Sequence, residues 1–208
     1  MKRNRLLSAL VLLMLGLAVQ PALAQKFEIH PYAGGYFPGD WRDSFQFKRE
    51  GVYGIQAGGM IADRWEIEGN AGYINHFVFE NNTAPKSRAF IWEAGPSVNL
   101  YNNLFQKVFP FVTVKIGGMT GWVGDPEDVG GESEDLADIA PPGSNPVVLT
   151  DGDTFFQFSY GGGVKAWNLW GPVGLRADVR GRTMPNFFGN SVTWLETTGG
   201  LTFSWGER

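Results

Sequence analysis

The feature that most constrains this chain is an alternation of apolar and polar residues with a period of two. At 173–182 it is unbroken. Val173, Leu175, Ala177 and Val179 share one side; Gly174, Arg176, Asp178, Arg180 and Arg182 share the other. A β-strand sends successive side chains to opposite faces, so this stretch is a strand with one apolar and one polar face. The pattern recurs seven more times. At 27–36, Phe27, Ile29 and Ala33 oppose Glu28, His30, Tyr32 and Tyr36; at 52–61, Tyr53, Ile55, Ala57 and Ile61 oppose Gln56 and glycines. At 65–73, Trp65, Ile67, Ala71 and Tyr73 oppose Glu66, Glu68 and Asn70; at 90–99, Phe90, Trp92, Ala94 and Val98 oppose Glu93, Ser97 and Asn99. At 110–118, Val112, Val114 and Ile116 oppose Thr113 and Lys115; at 156–165, Phe156, Phe158, Tyr160 and Val164 oppose Gln157, Ser159 and Lys165. At 193–205, Leu195, Leu201, Phe203 and Trp205 oppose Glu196, Thr202 and Ser204. Eight strands are predicted.

The connections between them alternate in length. Those at about 38–51, 80–87, 122–153 and 183–190 are longer than their neighbours at 63–64, 102–107 and 167–171. In an antiparallel meander all the longer loops then leave from one end. Outer-membrane barrels have this arrangement, with short periplasmic turns and longer extracellular loops. The predicted fold is all-β, an eight-stranded antiparallel up-and-down transmembrane β-barrel.

Alternation alone does not say which face points inward. Three observations favour apolar-out. Glu28, Glu66, Glu68, Glu93, Asp178 and Glu196 on the polar face nearly balance Lys115, Lys165, Arg176, Arg180 and Arg182. A narrow interior needs such pairing, because unpaired buried ions are costly. Aromatic residues also crowd the strand ends. Trp65, Tyr101, Phe105, Trp167, Trp170 and Trp205 lie towards the short turns; Phe37, Trp41, Phe77, Phe79, Trp122, Phe187 and Phe188 lie towards the long loops. Membrane barrels carry girdles of this kind at both interfaces.

The third observation is the leader. Lys2, Arg3 and Arg5 precede the apolar run 6–19, and Ala22-Leu23-Ala24 supplies a small-x-small cleavage site, so residues 1–24 read as a secretory signal peptide. Residues 25–208 form the mature domain. Loss of the three leader bases leaves 14 basic residues against 21 acidic, a net charge of −7. Nucleic acid is excluded as a partner on that balance. The 208 residues include no Cys, which excludes thiolate zinc sites, iron–sulfur clusters and cysteine nucleophiles. The 29 Gly, about twice the usual share of ~7%, argue against a helical bundle.

The stretch Tyr160-Gly161-Gly162-Gly163-Val164-Lys165-Ala166-Trp167, running into Gly174-Leu175-Arg176-Ala177-Asp178-Val179-Arg180, resembles the penultimate hairpin of OmpA-like and opacity-type outer-membrane barrels. The resemblance extends over residues 27–205. It implies a barrel in the bacterial outer membrane and names no activity. Two departures are visible. Such barrels commonly end on an aromatic residue, whereas Phe203 and Trp205 are followed here by Gly206-Glu207-Arg208, and the length leaves no room for a peptidoglycan-binding domain.

An eight-stranded barrel is just wide enough for side chains to fill. The eleven face charges are therefore expected to form a salt-bridge network that plugs the lumen. Gly34, Gly58, Gly72, Gly117, Gly161 and Gly163 would make room for the long basic side chains. A narrow water or ion path is the alternative. Lipid A deacylases of similar size pair a His with a Ser two residues on; Tyr32 follows His30 and Val78 follows His76 at that spacing, so no enzyme and no catalytic residue are expected. His30 is read as a lumen hydrogen-bond partner. The third long loop holds nine acids, among them Asp125, Glu127, Asp128, Asp151 and Asp153, with no base between Lys115 and Lys165. It is read first as a solvated external loop, and second as an oxygen-ligand site for divalent cations. No cofactor or resident metal is expected. The predicted role is structural or interactive: envelope integrity, adhesion or loop display by a monomer in the outer membrane. Its partners would be outer-membrane lipid or lipopolysaccharide, and host or envelope proteins met by the extracellular loops. A small passive channel is the second reading; a secreted, lipocalin-like barrel with an apolar ligand is the third.

Overall fold

Strands of ten or more residues with a one-sided apolar face need a partner on both edges, and here every barrel strand has two. The computed structural model describes residues 26–38, 40–41, 45–46, 49–75, 88–100, 108–122, 153–187 and 190–206. In chain order the strands are β1 (Phe27–Pro38), β2 (Asp40–Trp41), β3 (Phe45–Gln46), β4 (Glu50–Met60) and β5 (Trp65–Ile74). They continue with β6 (Arg88–Asn99), β7 (Val108–Trp122), β8 (Thr154–Trp170), β9 (Val173–Phe187) and β10 (Asn190–Trp205). From β4 to β10 each strand pairs antiparallel with the next, and β1 closes the ring between β4 and β10. The result is a closed eight-stranded barrel. Closure gives every barrel strand a hydrogen-bonded neighbour on each side, the condition for a sheet to cross a bilayer. The described residues include no helix.

Burial decides the sense of the faces. Ile116 is 62% exposed and Val114 54%, whereas Lys165, Arg180 and Arg182 are at 0%. The apolar face is outside. Among the described outward positions of the barrel strands, Arg88 at the long-loop rim is the sole charged residue.

The strands run further than the alternation indicated. β7 continues through Gly117-Gly118-Met119-Thr120-Gly121, where glycine hides the period but the backbone ladder to β6 persists. The connection expected at 183–190 is correspondingly tight, because β9 and β10 stay paired up to Phe187 and Asn190 across a register shift. Within the first long connection, β2 and β3 form a short ladder of their own. The β8–β9 turn is made by Gly171, at φ 63°, and Pro172, with Asn168 left-handed just before it at φ 51°. Glycine and asparagine are the residues that tolerate this region.

Candidate functional site: the barrel interior

The inward faces of the eight strands build three storeys. At the short-turn mouth, Lys26 Nζ lies 3.2 Å from the centre of the Trp167 ring, and that ring packs 4.4 Å from Phe109. Met60 and Phe111 are also buried. The Trp167 indole Nε1 donates to Glu28 Oε2 at 2.9 Å, linking this layer to the charges above it.

The middle storey holds two ionic clusters. In the first, Lys165 Nζ donates to Glu28 Oε1 at 2.8 Å, Glu66 Oε2 at 2.5 Å and Glu68 Oε1 at 2.9 Å. Arg176 grips Glu68 through Nη1 at 2.6 Å and Nη2 at 3.1 Å, and it also holds Asp178 through Nε at 3.0 Å. Lys115 Nζ meets Glu68 Oε2 at 2.8 Å and Gln56 Oε1 at 3.2 Å. In the second cluster, Arg182 bridges Glu93 Oε2 at 2.7 Å and Glu196 Oε2 at 2.8 Å. Arg180 doubles that bridge at 3.1 Å and 2.6 Å. Ser159 and Asn70 donate to the same Glu93 carboxylate. Arginine forks suit this work because they meet carboxylates with two donors in fixed geometry. All eleven charged residues singled out in the sequence thus lie inside, and each has an opposite charge within 4 Å.

Space for these side chains comes from small inward residues. A Cβ on Gly58 would stand 2.2 Å from Glu66 Oε1. His30 also faces inward: its Nδ1 donates to the Leu201 carbonyl at 2.8 Å, and Nε2 lies 3.8 Å from Asp178 Oδ2. The neighbouring Pro31 has no N–H, and β1 and β10 skip His30 and Pro31 in their register, so the imidazole serves the carbonyl opposite. Carboxylate oxygens of Glu28, Glu66 and Glu68 lie within 4.8 Å of one another, which is metal-ligand spacing. The Lys165 ammonium touches all three, so this trio already has its cation.

The outer storey is apolar, and the alternation of charge with apolar residues did not reveal it. Tyr36, Val52, Ile74, Ala89, Ile91, Met119, Met184, Val192 and Trp194 form one buried cluster with Tyr32 and Phe187. Inward parity carried to the strand ends finds most of them. Within the strands, Glu50, opposite Tyr36, is the one charged inward residue described at this height, and charge was the signal that marked the face.

A family model for the outer membrane protein β-barrel domain matches residues 9–198. The chain belongs to this family. Among solved structures, the outer membrane protein OprG from Pseudomonas aeruginosa superposes with a TM-score of 0.62 at 11% identity, over 88% of this chain and 97% of that one. Neisserial surface protein A superposes at 0.54 and 13%, over 86% of this chain and 96% of that one. At such identities the likeness is one of fold. No curated protein sequence matches the chain.

In a member of the outer membrane β-barrel family, the outward apolar band faces lipid, and the protein resides in the bacterial outer membrane. On its outside, Trp65, Trp170 and Trp205 are about half exposed or more at the short-turn end. Two residues expected beside such aromatics lie inside instead. Trp167 has the inward parity of Lys165 and is 3% exposed; nearness to the strand end was a misleading guide. Phe187 is buried because Pro185 and Asn186 both face out, which breaks the alternation just before it. The side chains of Trp41 and Trp122, and the whole of Tyr101 and Phe77, lie outside the described residues, as do His76, Asp125, Glu127, Asp128 and Asp151. Asp153 is half-buried, and its carbonyl accepts from the Gly121 N–H at 2.8 Å.

Proposed function

We propose that this protein is a plugged, non-conducting barrel whose work is done by its outer surface: envelope integrity, adhesion, or display of loops to partners. The observation that carries this reading is the layered interior. An ion crossing it would have to strip the Glu93–Arg180–Arg182–Glu196 cluster and then pass an apolar storey between Tyr36, Ile91, Met119 and Trp194. Either barrier alone is steep, since buried charges are held by their pairs and apolar constrictions exclude water. The barrel carries out no catalysis on this reading. His30 is committed to a backbone carbonyl through Nδ1, and the residue two further on is Tyr32 in place of a serine.

The leader ends at Ala24, and the mature chain then begins next to Lys26, the residue that caps Trp167. The barrel acts as a monomer. Its lipid-facing band contacts outer-membrane lipid or lipopolysaccharide, and the loops at the long-loop end meet envelope or host proteins, the acidic segment 122–153 among them as a solvated display.

Planar-bilayer recording of the refolded protein tests the reading. Silence in concentrated potassium chloride is the predicted result. Reproducible unitary steps, abolished on closing the pathway with a larger inward residue such as Ala89→Trp, would replace the plug with a small passive channel.

A further inference from the structure

The barrel wall is not hydrogen-bonded to the same height all the way round. At the long-loop end β7 and β8 remain paired up to Thr120 and Thr154, and β9 and β10 up to Phe187 and Asn190. Between β8 and β9 the outermost pair is Phe158 with Thr183. Residues 154–157 and 184–187 therefore form the wall without a shared ladder. Pro185 lies in this stretch and brings no N–H, as suits a strand edge. On the inner side, side chains close the gap: the Phe155 and Phe187 rings meet at 4.8 Å, and Phe155 packs on the buried apolar cluster. On the outer side the gap leaves a notch of about 400 Å³ lined by Thr154, Phe155, Phe156 and Asn186.

We infer that this notch holds an acyl chain of an outer-leaflet lipid. The occupant follows from continuity with the lipid-facing band. Phe156, which lines the notch, is 58% exposed and shares its face with Phe158, Tyr160 and Val164. A chain lying along that face reaches the notch without crossing water. No described lining residue is charged, and Phe155 and Phe156 give the notch an aromatic floor for apolar contact. Thr154 and Asn186 stand at the rim, where the ester or amide groups of a lipid would come, so one end of the site is polar and the other apolar.

The test uses the full-length protein refolded into vesicles of a phosphatidylcholine carrying a diazirine in one acyl chain. After irradiation and digestion, peptides containing 154–156 and 184–187 should carry several-fold more cross-link than the equally lipid-facing segment around Trp92 on β6. Filling the notch with Asn186→Trp, or independently with Thr154→Trp, should remove that excess and leave labelling at Trp92 unchanged. A heat-dependent gel shift identifies which variants are folded, and either folded variant decides the matter. Uniform labelling along the band overturns the proposal, as does an excess that survives in a filled variant. Labelling by a free diazirine fatty acid, without labelling by the lipid, would assign the notch to a soluble ligand instead.

Discussion

Single residues carry distinct and separable duties in this interior. Lys165 holds three carboxylates, from β1 and β5, that would otherwise face one another without it. Removing one partner of a buried ionic group typically costs about 3–5 kcal/mol. Lys165→Met is therefore predicted to lower stability by about that much in urea unfolding from bilayers, with the denaturant slope unchanged. A loss under about 1 kcal/mol would mean the cluster is hydrated and weak. Trp167 and Trp65 make a contrast within one residue type. Trp167→Phe removes the closer of two donors to Glu28 Oε2, leaving the Thr202 hydroxyl at 3.2 Å, and a hydrogen bond to a charged group is worth about 1.5–3 kcal/mol. Trp65 stands half-exposed outside, so Trp65→Phe should change the same unfolding midpoint far less. Equal effects would contradict the inward placement of Trp167.

At the scale of the strand, lipid contact makes the cost of an outward charge depend on depth along β7. Ile116 faces lipid near the middle of the strand, where an arginine costs about 2–4 kcal/mol; Val108, outward at the short-turn end, falls where the cost is about 0–1 kcal/mol. Ile116→Arg and Val108→Arg should differ accordingly in unfolding free energy; no difference would contradict a lipid-facing band. How far each strand could be read depended on its chemistry. β9 was legible because arginines and an aspartate alternate with valine, leucine and alanine, so parity and burial coincide. The outer ends of β7 and β8 were not, since glycines and phenylalanines there carry no contrast between faces. Trp167 was within reach of a parity count from Lys165. Phe187 was not, because the break at Pro185 and Asn186 accompanies the β9–β10 register shift, a tertiary feature.

The whole molecule is a closed barrel with lipid outside, ionic clusters in the middle and an apolar outer storey. Such a barrel, extracted in detergent, should migrate differently on a gel before and after boiling. A protein released without detergent and showing no shift would contradict it. The most direct test is a cysteine scan along β10 in bilayers, which the absence of native Cys makes clean. Leu195, Thr197, Leu201 and Phe203 face out; the small residues Thr198 and Thr202 face in, at 6% and 0% exposure. Each of the six would be changed to cysteine singly and probed with a lipid-soluble and a water-soluble thiol reagent. The outward positions should react with the lipid-soluble reagent alone, and the two inward positions with neither. Reaction of Thr198→Cys or Thr202→Cys with the water-soluble reagent would show an open lumen, and reaction of the outward set with that reagent would show that the apolar face does not meet lipid.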